Sequence, residues 1–153
     1  MKEAFVLNRS FENTDFMQQP VAKGEYESCT FRNCNFEYAD LSGFSFSDCE
    51  FTGCNLSMAK LSRTAFRDVV FRECKMFGLL FNDCNGFGLS FKFDHCLLNN
   101  SVFYKTSVKK TFFVHSKLTE VDFTECDLSH SVFNSCDFSG AVFDRSNRFQ
   151  DFL

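Results

Sequence analysis

The chain repeats itself every twenty residues, and this repetition constrains its fold more than any other feature. Cys34–Leu41 reads CNFEYADL, Cys54–Leu61 reads CNLSMAKL and Cys74–Phe81 reads CKMFGLLF. Later copies begin at Cys96, where the displacement is 22 residues, and at Cys136. Internal repeats of this length indicate a solenoid, in which each repeat cannot bury its apolar face alone and packs on its neighbours.

A shorter period of five runs inside the period of twenty. Counting in fives from Phe31, the residues are large and apolar except at Gly86, until the series reaches Phe91, slips by two and resumes at Phe93. We call these positions centres and predict that their side chains form the core. The predicted core centres are Phe31, Phe36, Leu41, Phe46, Phe51, Leu56, Leu61, Phe66, Phe71, Met76, Phe81, Leu98, Phe103, Phe113, Leu118, Phe123, Leu128, Phe133, Phe138 and Phe143.

A small residue usually stands two positions before each centre. All nine cysteines of the chain occupy this position, which we call the small slot and predict to point inward. Its predicted members include Cys29, Cys34, Ala39, Cys49, Cys54, Ala59, Cys74, Cys84, Cys96, Cys126, Cys136 and Ala141.

A period of five fits neither the 3.6 residues of a helical turn nor the simple alternation of a strand. Two inward positions two residues apart, followed by polar residues, predict a short extended segment and then a turn. Four such sides make one coil of twenty residues. Successive coils should stack at the strand spacing of about 4.8 Å.

Three segments match a known five-residue motif in full: Cys34–Tyr38 (CNFEY), Ala39–Gly43 (ADLSG) and Cys136–Gly140 (CDFSG). The pattern resembles the pentapeptide-repeat family, whose motif is a small residue, Asp or Asn, a central Leu or Phe and two polar residues. The resemblance covers about residues 26–147. It implies an all-β fold, a right-handed quadrilateral parallel β-helix of six to seven coils. Four aspartates match the motif's second position and should bond backbone amides: Asp40, Asp122, Asp127 and Asp137.

The period divides the chain into three parts. We predict an N-terminal cap or lead-in over residues 1–25, the β-helix over 26–147 and a C-terminal tail over 148–153 that caps the last coil or forms a homodimer. The slip predicts a bulge or loop near residues 85–95. Loops that interrupt the coils are functional in Qnr-type relatives. Asn85, Gly86, Phe87 and Gly88 are therefore a candidate interaction loop.

Charge is distributed unevenly along the chain. Residues 1–50 hold 4 basic and 9 acidic side chains, residues 51–118 hold 10 and 4, and residues 119–153 hold 2 and 7. The predicted rod therefore has acidic ends and a basic waist. Clustered Lys and Arg can bind phosphate, but the acidic ends would repel a polyanion, so direct nucleic-acid binding is not expected.

No sequence pattern in the chain predicts a catalytic or metal-binding site. The cysteines form no CxxC pair of the kind that binds zinc, and they share their slot with Ala, Ser and Thr, which favours packing. His95 and His115 lie twenty residues apart and could be neighbours on adjacent coils, without a third ligand. No nucleophile elbow, phosphate loop or dinucleotide fingerprint occurs. We therefore predict no catalytic residue, no metal, no cofactor and no small-molecule substrate.

Two functions remain open. Resemblance to Qnr-like members of the family implies a DNA mimic that binds DNA gyrase or topoisomerase IV and protects it from quinolones. The basic waist is unlike a duplex, whose charge is negative throughout. The alternative is a structural interaction scaffold for another protein partner. Nine thiols, no secretory leader and no long apolar run predict a cytoplasmic protein without membrane contact.

Overall fold

The protein folds as a four-sided parallel β-helix. The computed structural model describes residues 3–147 and the backbone of residues 151–152. The strands in that part of the chain are β1 (Ala4–Leu7), β2 (Ser10–Glu12), β3 (Gly24–Glu27), β4 (Thr30–Arg32), β5 (Ser45–Ser47), β6 (Glu50–Thr52), β7 (Ala65–Arg67), β8 (Val69–Arg72), β9 (Phe91–Asp94), β10 (Phe112–Val114), β11 (Val132–Asn134) and β12 (Asp151–Phe152). A 3₁₀ turn, Phe81–Asp83, lies between β8 and β9.

Two sides of the coil carry parallel sheets, of which the eight-stranded one continues along the described solenoid and the four-stranded one ends at β7. One sheet has the order β1-β3-β5-β7, and the other has the order β12-β11-β10-β9-β8-β6-β4-β2. The register follows the repeat, since Phe31 lies opposite Phe51 whereas Phe71 lies opposite Phe93. The other two sides, and the side of the four-stranded sheet beyond β7, are joined by single bridges. The stacked strands and bridges form about seven coils. Because each coil pairs in parallel with the next, residues twenty apart in the sequence lie one above the other along the axis.

The corners of the coil require a left-handed backbone. Twenty non-glycine residues and five glycines in the described part of the chain have positive φ, and nearly all of them stand two residues after a centre. Asn33 (φ 54°) and Gly53 (φ 64°) are examples. This conformation costs an L-residue about 1–2 kcal/mol. The pairing between coils offsets that cost, as when the Asn33 amide donates to the Thr52 carbonyl at 2.9 Å.

The interior is filled by stacked aromatic rings. On the eight-stranded side, Phe11, Phe31, Phe51, Phe71, Phe93, Phe113 and Phe133 form one column, with successive ring centroids 4.7–5.5 Å apart. Rings of neighbouring columns meet edge to face, as Phe113 and Phe123 do at 5.8 Å and 89°. Both arrangements are favourable for aromatic pairs. The hollow of the coil is therefore a packed core.

The predicted centres lie inside this core. Those from Phe31 to Phe133 are all buried, whereas Phe138 and Phe143 in the last described coil are half-buried. In the small slot, seven of the nine cysteines are buried, and Cys84 and Cys136 are half-buried. Ala59 is buried, whereas Ala39 and Ala141 are less so.

The solenoid begins closer to the N-terminus than the sequence predicted. Within the stretch predicted as a cap over residues 1–25, β1 and β2 pair in parallel register with β3 and β4. Val6, Phe11 and Phe16 continue the period of five and pack against the core. Residues 4–16 therefore form three sides of a first coil, because their apolar period is the same as that of the later repeats.

The interruption begins and ends about five residues earlier than the predicted range of 85–95. It occupies residues 81–90, and β9 restores the regular strand at Phe91. Gly86, predicted in series with the centres, is exposed and lies outside the core. Phe91 pairs with Val69, two residues before the centre, and Phe93 stacks on Phe71. The two inserted residues are thus absorbed on one side of one coil.

At the C-terminal end, β12 pairs with Val132 and Phe133 of β11. The rest of the predicted tail, residues 148–150 and 153, lies outside the described residues, and the C-terminal homodimer stays a prediction. No helix in the described ranges is long and apolar enough to cross a lipid bilayer.

Candidate protein-binding site

Within the interruption at residues 81–90, residues 84–90 form a loop that leaves the wall of the solenoid. It begins in register, because the Asn85 amide donates to the Thr64 carbonyl of the preceding coil at 2.9 Å. The Asn85 side chain then accepts a hydrogen bond from the Phe87 amide at 3.0 Å, which turns the chain outward. The Ser90 amide donates to Phe66 at 3.0 Å and brings the chain back to the wall.

The outward turn exposes an aromatic side chain. Phe87 is 82% exposed, the highest value among the large hydrophobic side chains whose burial the structure describes. Its ring lies 6.0 Å from the Arg67 guanidinium carbon, within the range of a cation–π contact. Gly88 (φ +69°) sits 3.3 Å, measured from an ideal Cβ, from the Arg67 Nε atom, so a side chain there would crowd the arginine. Arg67 thus supports the loop from the coil below.

The half-buried Leu89 of the loop and the buried Phe91, which begins β9, close the core behind Phe87. Leu89 packs against the core, and Phe91 is buried among Phe66, Phe81 and Phe93 at centroid distances of 5.2–5.6 Å. Sequence reasoning located the loop but missed this replacement. The spacing could have revealed it, because Phe91 precedes Phe93 by two residues as Val69 precedes Phe71.

The loop lies in the basic waist. Arg63 and Arg67 stand on the coil below it, and the Arg63 amide donates to the Asp83 carbonyl at the start of the interruption. Lys105, Lys109 and Lys110 are exposed on the coil above. Five basic side chains around the loop outnumber the nearby carboxylates of Asp68 and Asp83. The loop therefore presents an apolar ring on a mainly positive surface, which favours a partner with an apolar pocket and acidic surroundings.

The predicted aspartates bond the backbone at the turns. Asp40, Asp122, Asp127 and Asp137 each accept a hydrogen bond at 2.8–3.0 Å from the amide two residues further on. Hydrogen bonds from the serine that follows hold the pKa of Asp40, Asp127 and Asp137 below the usual range of a carboxyl. Their role in this structure is to stabilise the corners.

The cysteines are packed as thiols. Cys34, Cys54, Cys74 and Cys96 form one column along the axis, and each Sγ atom donates to a carbonyl of the preceding coil at 3.2–3.4 Å. All nine are free. Burial raises the pKa of Cys49 to about 11 and that of Cys126 to about 12. A thiol that resists ionisation is a poor nucleophile and a poor metal ligand.

The surface also carries a pair of stacked histidines and open clefts. No group of three or more His, Cys, Asp and Glu side chains in the described ranges is placed to hold a metal ion. His95 and His115 are nevertheless stacked on adjacent coils, with ring centroids 4.8 Å apart. Two open clefts of about 300 and 410 Å³ lie at the N-terminal end, and Phe16, Pro20 and Val21 line both. Neither cleft adjoins the histidines or the loop.

Comparison with known proteins identifies the repeat. A family model described as a pentapeptide repeat region matches residues 24–92, and one described as pentapeptide repeats (8 copies) matches residues 122–147. Together they match more than half of the chain. No curated protein sequence matches significantly.

Solved structures with a similar fold include QnrB1, described as a plasmid-mediated fluoroquinolone resistance protein. A trypsin-treated form has a TM-score of 0.58 at 19% identity, covering 92% of this chain and 78% of that one. The full-length form has a TM-score of 0.55 at 19% identity, covering 94% and 86%. At this identity the likeness shows a shared fold.

Proposed function

The chain belongs to the pentapeptide-repeat family, and on that premise we propose that it acts without catalysis, by binding a protein partner through the walls of its solenoid. We propose further that the partner is a type II topoisomerase, DNA gyrase or topoisomerase IV, and that binding protects it from quinolones. The observation that carries this proposal is the loop at residues 84–90, which holds Phe87 in solvent on a fold shared with QnrB1.

Binding through this loop is energetically reasonable. An exposed phenylalanine contributes roughly 1.5–3 kcal/mol when it is transferred from water into an apolar pocket. Arg67 restricts the loop before binding, because the guanidinium packs on the Phe87 ring. A pre-organised aromatic side chain costs less entropy on association and is a typical hot spot.

The charge distribution limits mimicry of DNA. Acidic side chains are concentrated at both ends, whereas the waist around the loop is basic. A duplex presents negative charge along its whole length. We therefore propose contact through the loop as the main determinant, with any imitation of DNA confined to the acidic ends.

The proposal predicts a specific effect of replacing Phe87. In a purified gyrase assay, the wild-type protein should reduce quinolone-stabilised DNA cleavage. Phe87→Ala should require at least about 10-fold more protein for the same effect, since 1.4 kcal/mol of lost binding corresponds to a factor of ten. Tyr38→Ala is the matched control, because Tyr38 is an aromatic residue 66% exposed at another corner of the solenoid. It should behave as wild type.

One result would contradict the topoisomerase partner, and another would contradict the contact through Phe87. If an excess of wild-type protein leaves both supercoiling and quinolone-stabilised cleavage unchanged, topoisomerase is not the partner. If the wild type protects and Phe87→Ala protects equally well at the same concentration, the partner contact lies elsewhere on the surface.

A scaffold for another protein is the second candidate, and one surface feature favours it. Leu80 and Val142 are each 45% exposed and belong to one column of outward residues with Val102 and Asp122. A flat, partly apolar wall suits a protein partner. A photo-crosslinking residue placed at position 80 or at position 87 distinguishes the candidates, because each would capture the partner only from its own surface.

A further inference from the structure

Three residues on adjacent coils form a column at one corner of the solenoid. Glu73, His95 and His115 each have positive φ and stand two residues after a centre. The Glu73 amide donates to the Asp94 carbonyl at 2.9 Å, and the His95 amide donates to the Val114 carbonyl at 2.9 Å. The backbone therefore stacks the two histidine side chains in register. Their rings lie 4.8 Å apart between centroids and are inclined by 29°.

A carboxylate fixes the tautomer of the first histidine. The Asp94 Oδ1 atom lies 2.7 Å from His95 Nδ1, and because an ionised carboxylate only accepts, the imidazole nitrogen donates. Asp94 is itself held by Arg72, whose Nη1 atom donates to Oδ2 at 3.0 Å. The other ring nitrogen of His95, Nε2, therefore carries the free lone pair. This carboxylate–histidine pair is the arrangement that orients imidazole ligands in metal sites.

The charges around the pair are favourable for a cation. Glu50 binds the other side of the Arg72 guanidinium, with Nε donating to Oε1 at 2.9 Å. The carboxylates Glu50, Glu73 and Asp94 outnumber the cations Arg72 and Lys92 on the same side of these coils. The arginine is neutralised locally, so it does not repel a metal ion approaching the histidines.

We propose that His95 and His115 form a two-histidine surface site for a divalent first-row transition ion, with water filling the remaining coordination positions. Imidazole ligands suit Cu²⁺, Ni²⁺ and Zn²⁺, and Cu²⁺ should bind most tightly. A metal–nitrogen bond of about 2.0–2.1 Å requires the two Nε2 atoms to approach to roughly 3 Å. The His115 side chain is exposed, so rotation about its side-chain torsions can bring its Nε2 atom towards that of His95, which keeps its hydrogen bond to Asp94.

The site is distinct from the loop and independent of the proposed partner. It lies at the corner after the eight-stranded sheet, whereas the loop replaces a strand position on the side of the four-stranded sheet. Metal bound to the native state alone also stabilises it. Ion binding would therefore tie together the coils that contain β9 and β10.

Titration calorimetry with CuCl₂, NiCl₂ and ZnCl₂ separately tests the proposal. The wild type should bind one ion, and His95→Ala and His115→Ala should each weaken binding at least about 10-fold. Asp94→Asn should weaken it by about 10-fold, the lower limit for loss of an orienting partner. His130→Ala is the matched control, because His130 also stands at an exposed corner but on another edge of the solenoid. It should leave the affinity unchanged.

A second measurement separates loss of ligands from loss of fold. The melting temperature of the wild type and of His130→Ala should rise with Ni²⁺, whereas that of the double variant His95→Ala, His115→Ala should not. Equal affinity of the wild type and the double variant would overturn the proposal. So would a loss of binding in His130→Ala that matches the loss in His95→Ala.

Discussion

Replacing Phe113 with alanine is expected to lower the free energy of unfolding by about 3–5 kcal/mol. Phe113 is fully buried, and its ring stacks on Phe93 at 5.2 Å and on Phe133 at 4.7 Å. Its edge also meets Phe103 and Phe123. Truncation removes contacts with two coils at once and leaves a cavity in the middle of the ladder, because the surrounding strands are hydrogen-bonded on both sides and cannot collapse into it.

The neighbouring residue supplies the control. Phe112 lies on the same strand, points outward and is 47% exposed, so Phe112→Ala should cost under about 1 kcal/mol. Urea unfolding followed by circular dichroism measures both variants, with equal slopes required for the comparison. Equal destabilisation of the two variants would contradict the alternation of inward and outward residues on β10.

Raising the pH from 9 to 11 is expected to remove several kcal/mol of stability. Burial raises the pKa of Cys49 from 9.0 to about 11 and that of Cys126 from 9.0 to about 12. Above pH 9 these thiols ionise in the unfolded chain but stay protonated in the folded one. Proton linkage therefore favours unfolding progressively, until the pH reaches the folded pKa of each thiol.

The size of the effect follows from the two shifts. Each buried thiol contributes a slope of up to about 1.4 kcal/mol per pH unit, and the slope falls as the pH reaches the folded pKa, so Cys49 alone accounts for about 2 kcal/mol between pH 9 and pH 11. Cys126 adds a similar amount over the same interval, and Tyr26, whose pKa burial raises above 10.0, adds to the loss at higher pH.

Serine at the two positions tests the origin of the alkaline loss. Ser101, Ser116 and Ser131 already occupy the small slot in other coils and are buried, so the double variant Cys49→Ser, Cys126→Ser fits the same space. Its stability in urea should fall less steeply between pH 9 and 11, by up to about 2.7 kcal/mol per pH unit. An unchanged slope would mean that groups other than these thiols cause the loss.

Much of the interior was predictable because it depends only on spacing. A centre such as Phe71 and a small residue such as Cys74 point inward wherever strand geometry repeats at five and twenty residues. The turn at Asp137 was likewise predictable, since the motif places a carboxylate within reach of the amide of Ser139. These features are local, so one repeat contains the information for all of them.

The interruption was predictable in place but not in form. The two-residue slip in the period predicted a loop. The period does not predict which side chain fills the core where a centre is glycine. Phe91 does so from the small-slot position, and Phe87 turns outward onto Arg67 of another coil. Both outcomes depend on contacts between segments about twenty residues apart, which only the stacked coils bring together.

The sequence by itself determined that this chain is a pentapeptide-repeat solenoid, which residues face its core and where its regularity fails, because inward and outward directions follow from the period alone. The tertiary structure decided how the surface is assembled. The stacking of His95 on His115 and the orientation of His95 by Asp94 arise from the alignment of adjacent coils. The alignment of the coils determines which side chains are neighbours on a wall, and the five-residue motif does not encode that alignment.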